Sequence, residues 1–129
     1  MTLRRQSGAP LAAVDLGSNS FRLLIAKEEG GQIVPSSTHR EGVRLAGGLD
    51  QDSHLSNDKI REACEALARF RERLGAIPAD RVRAVATSTY RVARNGEDLL
   101  RQSEHALGLP IDIISGPEEA RLIYLGCAH

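Results

Sequence analysis

The chain has few aromatic side chains: they make up 3 % of its 129 residues, and Trp is absent. Platforms for base stacking are therefore scarce, which argues against a single-stranded nucleic acid partner. The core must rest on Leu, Ile, Val and Ala. An excess of charge of one sign is also lacking, since Lys and Arg number 17 and Asp and Glu number 17, giving a formal net charge of zero. No global field draws the chain to nucleic acid or to an anionic membrane, so an anionic ligand must be caught locally. No apolar run approaches the roughly 20 residues of a membrane-spanning helix, and Met1 to Pro10 has basic residues but no apolar signal-peptide core. The cytoplasm is the expected compartment. The two cysteines, Cys64 and Cys127, form no Cys-x-x-Cys pattern, which favours free thiols over a disulfide framework or zinc site. His39, His54, His105 and His129 show no ligand spacing and read as surface or structural residues.

What is present is ordinary for one soluble globular domain: 41 % hydrophobic and 26 % charged residues. After a flexible leader over residues 1–10, Leu11 to Leu16 and Phe21 to Ala26 are apolar runs of strand length. Gly17 to Ser20 joins them as a hairpin. Gly30-Gly31 punctuates the chain before a third strand over Gln32 to Thr38. Arg40 to Leu55 keeps neither regular period and reads as a long surface loop. Ser56 is an N-cap for a helix whose apolar face is Ile60, Ala63, Cys64, Leu67 and Leu74, ending at Gly75. Cys64 is thereby expected in the core. Val82 to Ala86 is a fourth strand buried on both faces. Asn95 or Gly96 opens a helix through Leu107, Pro110 to Ile114 is a fifth strand, and Pro117 starts a last helix. A meander followed by crossovers predicts an α/β domain with a mixed five-stranded sheet, in the order βββαβαβα.

Three segments at strand ends carry chemistry. Asp15-Leu16-Gly17-Ser18-Asn19-Ser20 places a carboxylate at the end of an apolar strand and then a turn of small residues. Such a turn lets backbone N–H groups converge on one anion, although the same residues suit an ordinary hairpin turn. The carboxylate can hold a metal or a water. Ser88-Thr89-Tyr90-Arg91-Val92-Ala93-Arg94-Asn95 reads as a loop bringing hydroxyls and guanidiniums to a helix start, where phosphate is favoured. The alternative for Arg91 and Arg94 is a solvated surface. Ile114-Ser115-Gly116-Pro117-Glu118-Glu119-Ala120-Arg121 sets two carboxylates at a helix N-terminus, and the macrodipole accounts for at least one. Because consecutive helix positions differ by about 100°, only one of them faces the crevice. Glu119 shares a side with Leu122 and Ile123 and is the one placed there. Arg22 follows the turn and on a strand can point outward, while Arg121 can pair with Glu118.

These segments, in this order, resemble the exopolyphosphatase and guanosine pentaphosphate phosphohydrolase family. Val43-Arg44-Leu45-Ala46 through Gly48-Leu49 is similar to that family's loop after the third strand, and the resemblance spans about residues 11 to 129. It implies a ribonuclease-H-like lobe of the actin, Hsp70 and sugar-kinase type. It also implies metal-dependent release of terminal phosphate from inorganic polyphosphate or guanosine pentaphosphate. By the same resemblance Asp15 would hold Mg²⁺ or another divalent cation, or the attacking water. Gly17, Ser18, Asn19 and Ser20 would cradle a phosphate, Arg91 would clamp it, and Glu119 would be the general base.

The chain stops at His129, before the second lobe's phosphate motif. Residues 11–129 are therefore expected to be the first lobe of a larger enzyme, inactive alone and a homodimer at full length. Cys127 stands where the family commonly has a small aliphatic residue. Two other readings stay open, since fold does not fix function: an ATP-dependent kinase or chaperone lobe, and a noncatalytic polyphosphate- or nucleotide-binding module.

Overall fold

The structure is a computed structural model that describes residues 9–114. Their elements run β1 (Ala9–Leu16), β2 (Phe21–Glu29), β3 (Gln32–Glu41), α1 (Asn57–Leu74), β4 (Val82–Ala86), α2 (Ser88–Val92), α3 (Gly96–Leu107) and β5 (Asp112–Ile113). The five strands form one sheet ordered β3-β2-β1-β4-β5. β1 pairs antiparallel with β2 and parallel with β4, β2 pairs antiparallel with β3, and β4 pairs parallel with β5. The expected mixed five-stranded α/β sheet is therefore present, and the last expected helix lies outside the described residues.

Several boundaries differ from those read in the sequence, each for a local reason. β1 starts at Ala9, inside the expected 1–10 leader, because Ala9 and Pro10 pair with Glu28 and Lys27. β2 runs on through Lys27 to Glu29 up to a two-residue turn, and β3 starts at Gln32 as expected but continues to Glu41. Gly30 and Gly31 both take positive φ, 58° and 80°, so Glu29 can pair directly with Gln32. β5 shrinks to Asp112–Ile113, with Val85 and Ala86 as its partners; Pro110 has no N–H to give a ladder. β4 is not buried along its whole length, since Arg83 is exposed.

The 40–55 segment is more ordered than a surface loop. It contains a 3-10 turn, Leu45–Gly48, and an isolated bridge between Leu49 and Leu55. Val43, Leu45 and Leu55 are all buried. Lys59 reaches over from α1 and donates to the Val43 carbonyl at 2.9 Å. Such short apolar anchors leave no periodicity to read.

One face of the sheet, with Val14, Leu16, Phe21, Leu23, Ala84 and Ala86, packs on Ile60, Ala63, Leu67, Phe70 and Leu74 of α1 and Leu99 and Leu107 of α3. α1 is capped as expected: Ser56 Oγ accepts from Lys59 N at 3.1 Å, and Gly75 ends the helix. Cys64 is half-buried against this core, and burial, followed by the charges of Asp98 and Glu65, pushes its thiol pKa up. The opposite face carries Leu11, Ala13 and Ala26, with Leu24 and Ile33 against them.

Among the described residues, no helix is long and apolar enough to cross a membrane.

Candidate functional site at the strand ends

The topology sends the carboxyl ends of β1, β3, β4 and β5 to one edge of the sheet, where the start of β2 also lies. Ligands of open α/β sheets bind at such an edge. Asp15 reaches it on β1, one residue before the end. Strand alternation puts its side chain on the face opposite α1 and α3, between Arg22 of β2 and Val85 of β4 in register. Arg22 Nη2 lies 3.6 Å from Asp15 Oδ2. Asp15 Oδ1 is buried and has no hydrogen-bond partner among the described residues. A buried carboxylate oxygen left in this state carries a desolvation cost unless a water, cation or ligand satisfies it.

Gly17 to Ser20 form the turn, with the Gly17 N–H donating to the Ser20 carbonyl at 3.1 Å. Two more carbonyls of the turn are taken: Asn19 O accepts from Arg44 N at 2.9 Å and Ser18 O from Ala46 N at 3.2 Å. By contrast, the N–H groups of Ser18, Asn19 and Ser20 donate to no backbone carbonyl in any turn or loop contact among the described residues. The turn thus commits the carbonyls of Ser18, Asn19 and Ser20 to backbone donors and leaves the three N–H groups without a backbone acceptor among the described residues. Gly17 adds closeness rather than a donor. A Cβ at that position would stand 3.1 Å from the Ser20 carbonyl oxygen.

The 87–95 segment is not the expected loop. Residues Ser88–Val92 form the short helix α2, although Ser, Thr, Tyr and Val are weak helix formers. Tertiary burial overrides that weakness: Thr89 and Tyr90 are buried, and Tyr90 Oη lies 2.9 Å from Ser103 Oγ of α3. Gly96 makes the tight approach of the two helices possible, because a Cβ there would lie 2.4 Å from the Tyr90 carbonyl oxygen.

α2 is joined to the turn by hydroxyls. Ser18 Oγ and Thr89 Oγ1 are 2.9 Å apart, and Thr87 donates its N–H to Leu16 O at 3.2 Å. Arg91 is exposed on the outer side of α2 with Ser88 and Val92, and is in none of the ion pairs among the described residues. The helix therefore reaches the turn through Thr89, and no ion pair or side-chain hydrogen bond among the described residues brings Arg91 to it. Asn95 does not cap α3 with its side chain; its amide exchanges two 2.9 Å hydrogen bonds with the Leu55 backbone and fastens the 40–55 segment to this edge.

Glu118, Glu119 and Cys127 lie outside the described residues. Ile114 donates its N–H to Ala86 O at 3.0 Å, which brings the chain to the same edge immediately before Ser115. Two residues that motif reading passed over as site members also sit here. Arg40 and Arg44 line an open pocket of about 390 Å³ with Asn19, Ser20 and Gly42. Arg44 lies in the Val43 to Leu49 stretch that resembles the family's loop after the third strand, and Arg40 becomes visible only through the β2–β3 register.

With this geometry in view, the likeness to known proteins is specific. A crystal structure of an Aquifex aeolicus Ppx/GppA family member superposes with a TM-score of 0.80 at 29 % identity, over 90 % of this chain and 38 % of that one. An exopolyphosphatase-like protein gives 0.77 at 30 % identity, over 88 % of this chain and 35 % of its own. An exopolyphosphatase from Cytophaga hutchinsonii gives 0.77 at 25 %, over 89 % of this chain and 37 % of its own. The chain thus spans well under half the length of each of the three. The family model for the Ppx/GppA phosphatase family matches residues 24–129. Because the family model matches the larger part of the sequence and the fold superposes on solved family members, the chain belongs to the Ppx/GppA phosphatase family.

Proposed function

We propose that this chain is the first lobe of a two-lobed phosphohydrolase that releases terminal orthophosphate from inorganic polyphosphate, from guanosine pentaphosphate, or from both. The observation that carries the reading is the turn at Ser18 to Ser20: its carbonyls are occupied, its amides face no backbone acceptor among the described residues, and the buried, partnerless Asp15 Oδ1 stands at the strand end before it. Membership of a phosphatase family and the likeness to solved exopolyphosphatases support the same class of chemistry.

Asp15 fits a hard cation such as Mg²⁺ in one respect, its buried oxygen that has no hydrogen-bond partner among the described residues. Among the described residues no group of three His, Cys, Asp or Glu could hold a metal. Mg²⁺ is commonly held by one or two carboxylates together with substrate phosphate oxygens and waters, so such a group is not a requirement. When bound, the cation would supply charge neutralisation at the phosphate oxygens.

The chain's own residues would do the rest. The turn amides and the Asn19 and Ser20 side chains orient the terminal phosphate, and Ser18 is held in place by Thr89. Arg91 adds charge from α2. Glu119 orients the attacking water and accepts its proton, a role typically worth about 10²–10⁴-fold. Positioning and electrostatics suffice here because phosphoryl transfer asks little covalent chemistry of the protein.

The test is a parallel assay of the two-lobed protein carrying this lobe on polyphosphate, guanosine pentaphosphate and ATP. The reading expects phosphate release from one or both of the first two. It also expects Glu119→Gln to lower kcat by about 10²–10⁴-fold while Glu118→Gln does little. Preferential ATP turnover coupled to phosphorylation of a second substrate would replace it with a kinase.

A further inference from the structure

The register of the sheet places a row of residues across its site-side end: Arg40 of β3 faces Arg22 of β2, Arg22 faces Asp15 of β1, and Asp15 faces Val85 of β4. Directly opposed like charges destabilise a strand pair. Asp15 offsets only one of the two guanidiniums, at 3.6 Å from Arg22. Among the described residues Arg40 and Arg44 are in no ion pair, as are Arg71, Arg73, Arg91 and Arg94, while Arg61, Arg69, Arg81, Arg83 and Arg101 each have a carboxylate. Arg40 and Arg44 are the two of these unpaired arginines that share a pocket. Glu41, next to Arg40 in sequence, points to the other side of the strand and is held there by two hydrogen bonds from Arg69, at 2.8 and 2.9 Å.

Arg44 brings a second guanidinium to the same place by a backbone that only a few non-glycine residues adopt. Its φ is 54°, in the left-handed region. The conformation is fixed from both sides, by Arg44 N donating to Asn19 O at 2.9 Å and Gly47 N donating to Arg44 O at 3.0 Å. Among the described residues the pocket so formed has two arginines, Asn19, Ser20 and Gly42 on its walls and no carboxylate. Its volume of about 390 Å³ falls in the range of small-ligand sites.

We infer that Arg40 and Arg44 form a second anion subsite beside the turn, which takes the next phosphoryl group of an oligophosphate whose end lies at Ser18 to Ser20. This rests on the reading of that turn as a phosphate cradle. The shared ligand chemistry is a run of adjacent phosphoryl groups, carried by an inorganic chain or by a nucleoside. Arginine suits the task because its planar fork grips two oxygens at once.

Inorganic tripolyphosphate, guanosine pentaphosphate and orthophosphate are titrated by calorimetry into the 129-residue chain and into Arg40→Gln, Arg44→Asn and the double variant. Asn is chosen at 44 because it tolerates positive φ; circular dichroism confirms that each variant is folded. The double variant should lose about tenfold or more in tripolyphosphate affinity, as expected for lost charge-assisted hydrogen bonds, while orthophosphate changes less than about twofold. Arg40→Lys should recover part of the loss. A loss confined to tripolyphosphate assigns the subsite to an inorganic chain, and one confined to guanosine pentaphosphate assigns it to a nucleoside-borne chain. A loss for both assigns it to either. Unchanged binding of both oligophosphates, or an equal loss for orthophosphate, overturns the subsite and leaves the cradle standing. Failure of the parent chain to bind any of the three overturns the subsite and the cradle together.

Discussion

The side-chain oxygens of Ser18 and Thr89 lie 2.9 Å apart, 71 residues distant in sequence, and this contact joins the turn after β1 to the helix after β4. Thr89 is buried, so its hydroxyl has little access to solvent in place of Ser18. Thr89→Val keeps the shape and removes the bond. It should cost about 0.5–1.5 kcal/mol in stability and weaken tripolyphosphate binding by loosening the turn. Thr89→Ser should keep most of both. Urea unfolding and calorimetry measure the two effects, and equal binding by the folded Val variant would separate α2 from the site.

Gly17→Val should weaken phosphate binding in a folded domain. Gly17 is not one of the positive-φ glycines among the described residues, so backbone strain is not the reason. The cause is contact: a Cβ would meet Ser20 O at 3.1 Å and push apart the hydrogen bond that closes the turn. Gly17→Ala should show the same direction with a smaller loss, read by titration with tripolyphosphate.

Tyr90→Phe should destabilise the domain by about 1–3 kcal/mol, because it leaves the buried Ser103 hydroxyl without its partner. Burial pushes the Tyr90 phenol pKa well above its ordinary value, so the bond persists through the mildly alkaline range. Adding Ser103→Ala should return part of the loss, since both polar groups are then gone. A double-mutant cycle by urea unfolding checks this.

Glu41 supplies a pH-dependent contribution. The hydrogen bond from Arg69, then the charges of Arg69 and Arg73, hold its carboxyl below the ordinary value of 4.5 against the opposing effect of burial. A group with a lowered folded pKa binds fewer protons folded than unfolded, so its stabilisation is complete above about 4.5 and fades as pH falls through the folded value. Glu41→Gln should therefore cost about 0.2–1 kcal/mol at pH 7, less at high salt, and nearly nothing in acid below the folded value. Thermal unfolding from pH 3 to pH 7 measures the convergence. A constant difference across the range would mean the pair acts through shape alone.

The sequence made much of this layout legible where chemistry is local. Ser56 and Gly75 marked helix ends correctly, and Asp15 with Gly17 to Ser20 declared a strand end and turn. What it hid depends on register and tertiary burial. Counting back from the Gly30-Gly31 turn in step would set Arg22 opposite His39. A bulge between Ile25 and Ala26, beside Pro35 on the partner strand, adds one residue and sets Arg22 opposite Arg40 instead. No pattern of residue types announces that shift, and without it the arginine row does not exist. The helix α2 was hidden in the same way, since its stability comes from the burial of Thr89 and Tyr90 rather than from propensity.

The central claim, that the turn after β1 receives phosphate, is tested most directly by mapping backbone amide shifts of the 129-residue chain during titration with tripolyphosphate. The account predicts the largest shifts at Ser18, Asn19 and Ser20, with accompanying shifts at Gly42 and Arg44 across the pocket. Shifts centred on the hollow between α1 and α3, lined by Cys64, Arg101, Gln102, His105 and Ala106, would contradict it, as would saturating binding that leaves the three turn amides unmoved.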